Sequence, residues 1–278
     1  MTQLPEVEVI RKDLEKEVVG KRFKDVAVKT ASMVGRHRNR PDFVKALRGH
    51  KIESISRRGT WLLFELDGEA TLVVRLGLHA QLTRETATEE PGKHTQMVAT
   101  FTTGGSLHYI DPVRDGELFV VDRQGVAEVP ELSPTGIDPL ADTFTWLAFS
   151  RQLKARKTRL KTLLVDESFI VGLGDLYADE ILWAAGLSGR RISSTLSSQE
   201  VRRLYRAIQE VLHEAVKQGG TPVEPTAGQD GDVFSEGEYG EYLNVYGRQG
   251  QPCARCRQPI KRGLIDKRAS FYCAQCQT

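Results

Sequence analysis

The sequence contains no apolar run long enough to cross a membrane, and no apolar segment lies near its N-terminus. A membrane-spanning helix needs about 20 mostly apolar residues, and a secretory signal needs an apolar stretch of about 7–15. We therefore expect no membrane anchor, no secretion and a cytoplasmic location. Internal repeats are also missing, which argues against a solenoid. The 278 residues, 40% of them hydrophobic, fit a globular protein of about two domains.

Strong net charge is likewise missing, since the formal value is only +2. The distribution of charge is more informative than the total. Residues 243–278 contain seven Lys or Arg and one acidic residue, whereas residues 223–241 contain six acidic residues and no Lys or Arg. The basic tail is a candidate phosphate-binding surface, and we predict a loop or linker over 221–240.

Cysteine is absent outside this tail, where all four occur as Cys253-x2-Cys256-x16-Cys273-x2-Cys276. In an intracellular protein this spacing is typical of a zinc site rather than of disulfides, because two Cys-x2-Cys pairs complete a tetrahedron of thiolates. The alternatives are four reduced structural thiols or two disulfides. We predict one structural zinc ion, since four thiolates leave no open coordination position. The metal would fix the shape of a tail too short to build its own core.

Periodicity predicts a leading helix over residues 5–18, followed by short alternating or apolar runs typical of a β-sandwich or barrel. The predicted strands are 23–28, 51–56, 61–66, 70–76, 97–101, 106–110 and 117–121. After about Pro139 the pattern becomes helical. The predicted helices are 144–153, 158–164, 176–185 and 198–218. Ser197 and Glu200 form a capping box at the start of the last one.

Glycines mark a turn before the third of these helices, in the segment Gly172-Leu173-Gly174-Asp175. They would allow backbone N–H groups at the helix start to approach an anion, or they serve a simple tight turn between helices. The segment is not a dinucleotide fingerprint, because no strand followed by G-x-G-x-x-G is present.

Four motifs together resemble the formamidopyrimidine-DNA glycosylase and endonuclease VIII family of base-excision repair enzymes. They are Leu4-Pro5-Glu6-Val7-Glu8, the segment 172–180, Val245-Tyr246-Gly247-Arg248 and the finger ending Arg268-Ala269-Ser270-Phe271-Tyr272-Cys273-Ala274-Gln275-Cys276. The resemblance covers nearly the whole chain. It implies an α+β multidomain fold, with an N-terminal β-sandwich domain and its leading helix over 1–138, a helical helix–two-turn–helix domain over 139–240 and a zinc-finger β-hairpin over 241–278.

The resemblance also implies the partner and the place of action. Family members bind double-stranded DNA at damaged or abasic sites, usually as monomers, so we expect association with the nucleoid. The stretch 221–240 would face the lesion, but its sequence contains no motif that identifies the lesion.

The family's catalytic positions are replaced in this sequence. The resemblance implies a proline amine that attacks the sugar C1′ of the damaged nucleotide, a glutamate that acts as acid and base, and an assisting lysine. Thr2, Gln3 and Thr60 stand at these three positions. The α-amine of Thr2 could still form a Schiff base once Met1 is removed. Gln3 cannot exchange a proton near neutral pH, and Thr60 carries no positive charge.

Two acidic positions that the family keeps near its site are retained as Glu6 and Glu180. One of them could substitute for Gln3. Alternatively, Glu6 complements the dipole of the first helix and Glu180 pairs with backbone N–H groups. We favour this second, structural interpretation.

The resemblance further implies three side chains that fill the gap left by a flipped nucleotide. Leu78 stands at the position of a methionine and can act as an apolar wedge. Arg114 stands at the position of an arginine that pairs with the orphaned base. Asp115 replaces a phenylalanine, and a carboxylate cannot wedge between bases, so we expect weaker or altered unstacking.

Phosphate contacts are implied for Lys161 and Arg268, and Arg75 and Arg248 are further candidates for DNA binding. All four could instead be ordinary surface charges. Asp175 replaces an asparagine that donates to a phosphate, and the added negative charge should lower affinity.

Three functions remain open at this point. The first is recognition of damaged or abasic DNA with excision chemistry lost or reduced. The second is an active glycosylase and abasic-site lyase that uses the Thr2 α-amine with Glu6 or Glu180. The third is a zinc-dependent protein-interaction module, which the acidic stretch 223–241 and Asp175 favour and the retained basic residues oppose.

Overall fold

The computed structural model describes residues 2–86, 90–133, 136–222 and 237–278. The chain forms two compact units, one containing residues up to 133 and one combining residues 136–221 with 237–278. The prediction of a loop over 221–240 lies largely outside the described residues. Within the described part of the chain, no helix combines the length and the apolar character needed to cross a membrane.

The first unit is a sandwich of two antiparallel four-stranded sheets with a leading helix. The helices are α1 (Leu4–Val18) and α2 (Arg40–Leu47). One sheet has the order β1-β6-β7-β5, and the other has the order β2-β3-β4-β8. The strands are β1 (Phe23–Val28), β2 (Ile52–Arg58), β3 (Trp61–Leu66), β4 (Ala70–Arg75), β5 (Gln81–Glu85), β6 (Thr95–Phe101), β7 (Ser106–Ile110) and β8 (Glu117–Asp122).

Both sheets contribute buried apolar side chains, which explains why they pack face to face as two layers. Side chains from both sheets and from α1 join one apolar core, which includes Val7, Leu14, Phe23, Phe64 and Tyr109. All five side chains are at most 1% exposed. Burial of this kind stabilises the fold by about 25 cal/mol per Å² of apolar surface. The loops that connect the strands lie at the ends of the sandwich.

The predicted strands are confirmed to within two residues at each end, and the leading helix to within one. The sequence did not predict α2 or β5. Helix α2 has only eight residues and begins at an Asn39 side chain that accepts the Asp42 N–H. Strand β5 is an edge strand with a single buried side chain, Leu82, so its alternation is too weak to recognise.

The second unit contains four helices and a hairpin. The helices are α3 (Trp146–Ala155), α4 (Leu160–Leu164), α5 (Asp175–Ala185) and α6 (Ser198–Lys217), and the hairpin strands are β9 (Lys261–Ile265) and β10 (Arg268–Tyr272). The capping box at Ser197 and Glu200 is confirmed, with both of its hydrogen bonds present. Helix α5 ends at Gly186, which adopts a left-handed backbone with a φ of 66°. The predicted α+β fold class is therefore confirmed.

Candidate functional site

The N-terminal residues are held against the sandwich. The Thr2 hydroxyl donates a hydrogen bond of 2.7 Å to the backbone carbonyl of Gly77. Gln3 is the N-cap of α1 and has an extended backbone, and Glu6 lies in the first turn of this helix. A backbone carbonyl is not a base, so the Thr2 hydroxyl is not activated as a nucleophile there. The nitrogen of Thr2 is the amide of the Met1–Thr2 peptide bond in the chain as given, so it would become an amine only on removal of Met1.

Thr60 lies in the turn between β2 and β3 and is only 6% exposed. The nearby Arg57 guanidinium donates to the Glu8 carboxylate at 2.9 Å and to the Gly59 carbonyl at 2.7 Å. Burial alone would raise the pKa of Glu8, but hydrogen bonds from Arg11 and Arg57 hold that pKa below its ordinary value. Arg57 is therefore the cation of a buried structural pair.

Two loops of the sandwich carry Leu78, Arg114 and Asp115. Leu78 is exposed, and its N–H donates to Asp115 Oδ1 at 2.9 Å. The Arg75 guanidinium donates to the Asp115 carbonyl at 2.7 Å. Asp115 therefore links the loop of Leu78 to its own loop, a contact that the sequence did not predict.

In the second unit, Lys161 and Asp179 form a buried ion pair. Lys161 is fully buried, and its Nζ donates to Asp179 Oδ1 at 2.9 Å and to the Asp175 carbonyl at 2.7 Å. Asp179 also accepts from the Ser270 hydroxyl and from the Phe271 N–H, each at 2.8 Å. Burial raises the pKa of Asp179, and Lys161 opposes this rise. The pair thus joins α4 and α5 to the hairpin.

Asp175 and Arg268 lie at the surface end of the same cluster. The Asp175 carboxylate is 3.3 Å from Lys161 Nζ and 3.5 Å from Arg268 Nη1. The Arg268 side chain is 49% exposed, which leaves it accessible to an anion. Asp175 thus faces Lys161 and Arg268, the two cations for which the family resemblance implies phosphate contacts.

Glu180 is almost fully buried at 1% exposure. Its carboxylate accepts the backbone N–H groups of Asn244, Val245 and Tyr246 at 2.8–2.9 Å, together with the Asn244 side-chain amide at 3.2 Å. These four hydrogen bonds satisfy the lone pairs of both oxygens. Glu180 therefore fastens α5 to the segment that leads into the finger, in agreement with its structural interpretation.

Arg248 has a similar local role. Its guanidinium donates to the Leu243 carbonyl at 2.8 Å and to the Gln251 side chain at 2.9 Å. The bonds close the turn that carries the Val245-Tyr246-Gly247-Arg248 motif.

The four cysteines converge in the second unit, where all their sulfur atoms lie within 4.8 Å of one another. The distances are 3.9 Å for Cys253–Cys276 and 3.4 Å for Cys256–Cys273. Tetrahedral zinc with bonds of about 2.3 Å places its sulfur ligands about 3.8 Å apart. The donors therefore fit a structural zinc ion, as predicted. The Trp183 indole N–H donates to Cys253 Sγ at 3.5 Å and would orient that ligand.

Loss of zinc should unfold the finger, because the apolar cluster around the cysteines is small. Its buried side chains besides the cysteines are Trp183, Val245 and Ile260. We expect one zinc per chain by elemental analysis and loss of finger structure on chelation, with recovery when zinc is added back. Cys273→Ser should have the same effect as chelation. A metal-free protein that is natively folded and carries two disulfides by mass would contradict this assignment.

Three residues to which the sequence assigned no role are Asp179, Asp111 and Val113. The available signal for Asp179 was its position next to Glu180, in the middle of a helix whose other residues after Asp175 are uncharged. Asp111 is fully buried and organises the loop that follows it, and Val113 is exposed in this loop. Neither carried a sequence signal beyond the Asp-Pro turn.

Two family models match the chain. The model described as formamidopyrimidine-DNA glycosylase N-terminal domain matches residues 1–118. The model described as formamidopyrimidine-DNA glycosylase H2TH domain matches residues 135–226. A β-sandwich, a helix–two-turn–helix unit and a four-cysteine hairpin together define the class of zinc-finger DNA repair glycosylases. Within this class, the chain belongs to the formamidopyrimidine-DNA glycosylase family, and the predicted resemblance is confirmed.

Relatives match over the full length. The chain is 34% identical over 277 residues to the formamidopyrimidine-DNA glycosylase of Pelotomaculum thermopropionicum, covering 100% of this chain and 99% of the relative. It is 36% identical over 282 residues to that of Herpetosiphon aurantiacus, covering 100% of both. A complex of Lactococcus lactis Fpg with DNA containing an abasic site is similar with a TM-score of 0.87, 28% identity and 99% of each chain covered. MutM in complex with DNA containing carbocyclic 8-oxo-G has a TM-score of 0.86, 27% identity and the same coverage.

Proposed function

We propose that this protein recognises damaged or abasic sites in double-stranded DNA and that its excision chemistry is lost or much reduced. The observation that carries the proposal is the replacement of three catalytic positions by Thr2, Gln3 and Thr60 in a chain that otherwise keeps the family fold. The loss of the general acid and base alone corresponds to a factor of about 10²–10⁴ in rate. We expect the protein to act on nucleoid DNA in the cytoplasm.

The contacts of the retained groups support lost chemistry. Glu180 accepts four hydrogen bonds and has no lone pair to spare for a substrate proton. Arg57, the cation next to the turn of Thr60, is paired with Glu8 and cannot readily stand in for a lysine.

Retained recognition is supported by different observations. Leu78 is exposed in a loop suited to fill a gap in the duplex, and Arg268 is exposed at the edge of the finger. The solved relatives include complexes with DNA that contains an abasic site. A separate interaction module without DNA binding would have no use for this combination.

The names of the full-length relatives favour a second candidate function, an active glycosylase and abasic-site lyase. In this alternative the Thr2 α-amine, freed by removal of Met1, adds to the C1′ aldehyde of an abasic sugar and expels water to form an imine. An α-amine has a pKa of about 7.7–8.0, so part of it is unprotonated at neutral pH. Glu6 would then be the acid and base.

Borohydride trapping distinguishes the two candidates. Purified, untagged protein is mixed with a labelled duplex that contains one abasic site, and borohydride is added to reduce any imine to a stable amine. Lost chemistry predicts no covalent protein–DNA band, while the same duplex is retarded in a gel shift. A band that disappears when a tag is retained before Met1 would instead establish the Thr2 amine as a nucleophile. Failure to bind any duplex better than an unrelated protein of equal charge would contradict both candidates.

A further inference from the structure

Two apolar side chains are exposed at the tips of two loops in the β-sandwich unit. Leu78 is 41% exposed and Val113 is 45% exposed. Each is followed directly by a non-glycine residue with a left-handed backbone, His79 with a φ of 64° and Arg114 with a φ of 63°. This conformation is unfavourable for residues with a Cβ atom, and such residues cluster where a ligand must be met in a fixed geometry. Both tips therefore have the character of a binding element.

The two tips are fastened to each other. We call residues 76–80 and 111–116 the paired loops. Asp115 connects them, since its carboxylate accepts the Leu78 N–H at 2.9 Å and its carbonyl accepts from Arg75 at 2.7 Å. Gly77 is required at this junction, because a β-carbon there would collide with the Asp115 carboxylate.

A buried carboxylate fixes the second tip from below. Asp111 is fully buried and accepts the N–H groups of Val113 at 3.1 Å, Arg114 at 2.7 Å and Gly116 at 2.9 Å. Three N–H donors on one carboxylate hold the backbone of residues 113–116 in place. The Val113 side chain consequently projects from a rigid support, not from a loosely held loop.

We propose that Val113 is a second apolar wedge, which enters the gap at an abasic or extruded nucleotide together with Leu78, and that Asp115 is the positioning residue for both. This inference rests on the proposed recognition of such sites. The base stack is already interrupted at such a gap, so two branched apolar side chains can enter it and displace the orphaned base at low cost, whereas an intact step must first be opened. The pair of wedges should therefore determine how strongly the protein prefers an abasic duplex over an intact one.

The first test compares Val113→Ser with Val19→Ser. Val19 is also an exposed valine of this unit, 38% accessible, and it lies at the end of α1 outside the paired loops. Affinities for a duplex with a tetrahydrofuran abasic analogue and for the intact duplex are measured by fluorescence anisotropy. We expect Val113→Ser and Leu78→Ser each to lower the ratio of the two affinities about tenfold, because each removes apolar area from the contact. Val19→Ser should leave the ratio unchanged.

The outcomes separate this inference from the proposed function. If the natural protein shows no preference for the abasic duplex, the proposed recognition fails. If it shows the preference but Val113→Ser behaves as Val19→Ser does, the role of Val113 is refuted while recognition stands.

The second test addresses Asp115. Asp115→Ala removes the acceptor for the Leu78 N–H, whereas Asp115→Asn keeps an amide oxygen in its place. With 2-aminopurine opposite the abasic analogue, insertion of the wedges should unstack the probe and raise its fluorescence. We expect Asp115→Ala to lose this signal about as fully as Leu78→Ser does, and Asp115→Asn to recover it. An unchanged signal in Asp115→Ala would overturn the positioning role, and so would an Asp115→Asn variant as weak as Asp115→Ala.

Discussion

A variant that combines Thr2→Pro, Gln3→Glu and Thr60→Lys is expected to cleave an abasic duplex about 10²–10⁴ times faster than the natural chain. The three substitutions return the amine nucleophile, the group that accepts and donates protons, and the cation of the family's mechanism. Thr2→Pro alone should gain little, because residues that act as a unit have strongly non-additive effects. The measurement is a single-turnover assay of strand cleavage on a labelled duplex with one abasic site.

A matched control for this experiment exists within the chain. Thr103 is an exposed threonine in the turn between β6 and β7. Thr2→Pro, Gln3→Glu and Thr103→Lys together have the same composition and charge as the test variant, but the lysine lies elsewhere. Because Thr60 is buried, the new lysine must extend its ammonium group out of the turn, and thermal unfolding of Thr60→Lys alone checks that the turn accepts it.

Two results would contradict the expectation. A natural chain that already cleaves as fast as the triple variant would mean that the Thr2 amine suffices. A triple variant that binds the abasic duplex but does not cleave it would place the loss of chemistry outside the three replaced positions, with Asp175 as the next position to revert to asparagine.

Local patterns predicted most of the fold. The capping box at Ser197, the spacing of the four cysteines and the short apolar run of β3 depend on neighbours close in sequence, so each was visible in the chain itself. The family motifs, such as residues 172–180 and 245–248, are likewise short segments that can be recognised in the sequence. Helix α2 and edge strand β5 were missed because they bury few side chains and are stabilised mainly by the elements packed beside them.

The candidate site was harder to predict where its contacts are distant in sequence. The hydrogen bond between Leu78 and Asp115 joins residues 37 positions apart in sequence, and the one between Asp179 and Ser270 joins residues 91 positions apart. Sequence reasoning could state that Asp115 is a poor wedge, but not that its carboxylate holds the neighbouring loop. In the same way, Glu180 could be expected to meet backbone N–H groups, but the choice of Asn244, Val245 and Tyr246 required the structure.

Lys161 was predicted to contact a phosphate, but in the structure it pairs with the buried Asp179. The two roles predict different effects of replacing Lys161. Lys161→Met should lower the free energy of unfolding by about 3–5 kcal/mol, because it leaves a buried carboxylate without its counter-charge. Lys154→Met, at an exposed lysine of α3, should cost little. Urea unfolding at fixed pH and salt measures both variants.

The penalty should also depend on pH, with a sign that follows from Asp179. Burial already raises the pKa of this carboxyl in the folded protein above its ordinary value, and removal of Lys161 raises it further. A carboxyl whose pKa is higher in the folded than in the unfolded state destabilises the fold as pH rises through the folded-state pKa. The loss of unfolding free energy caused by Lys161→Met should therefore shrink as pH falls from 7 toward the unfolded-state pKa of about 3.9. A Lys161→Met protein with unchanged stability but a shallower salt dependence of DNA binding would instead assign Lys161 to phosphate contact alone.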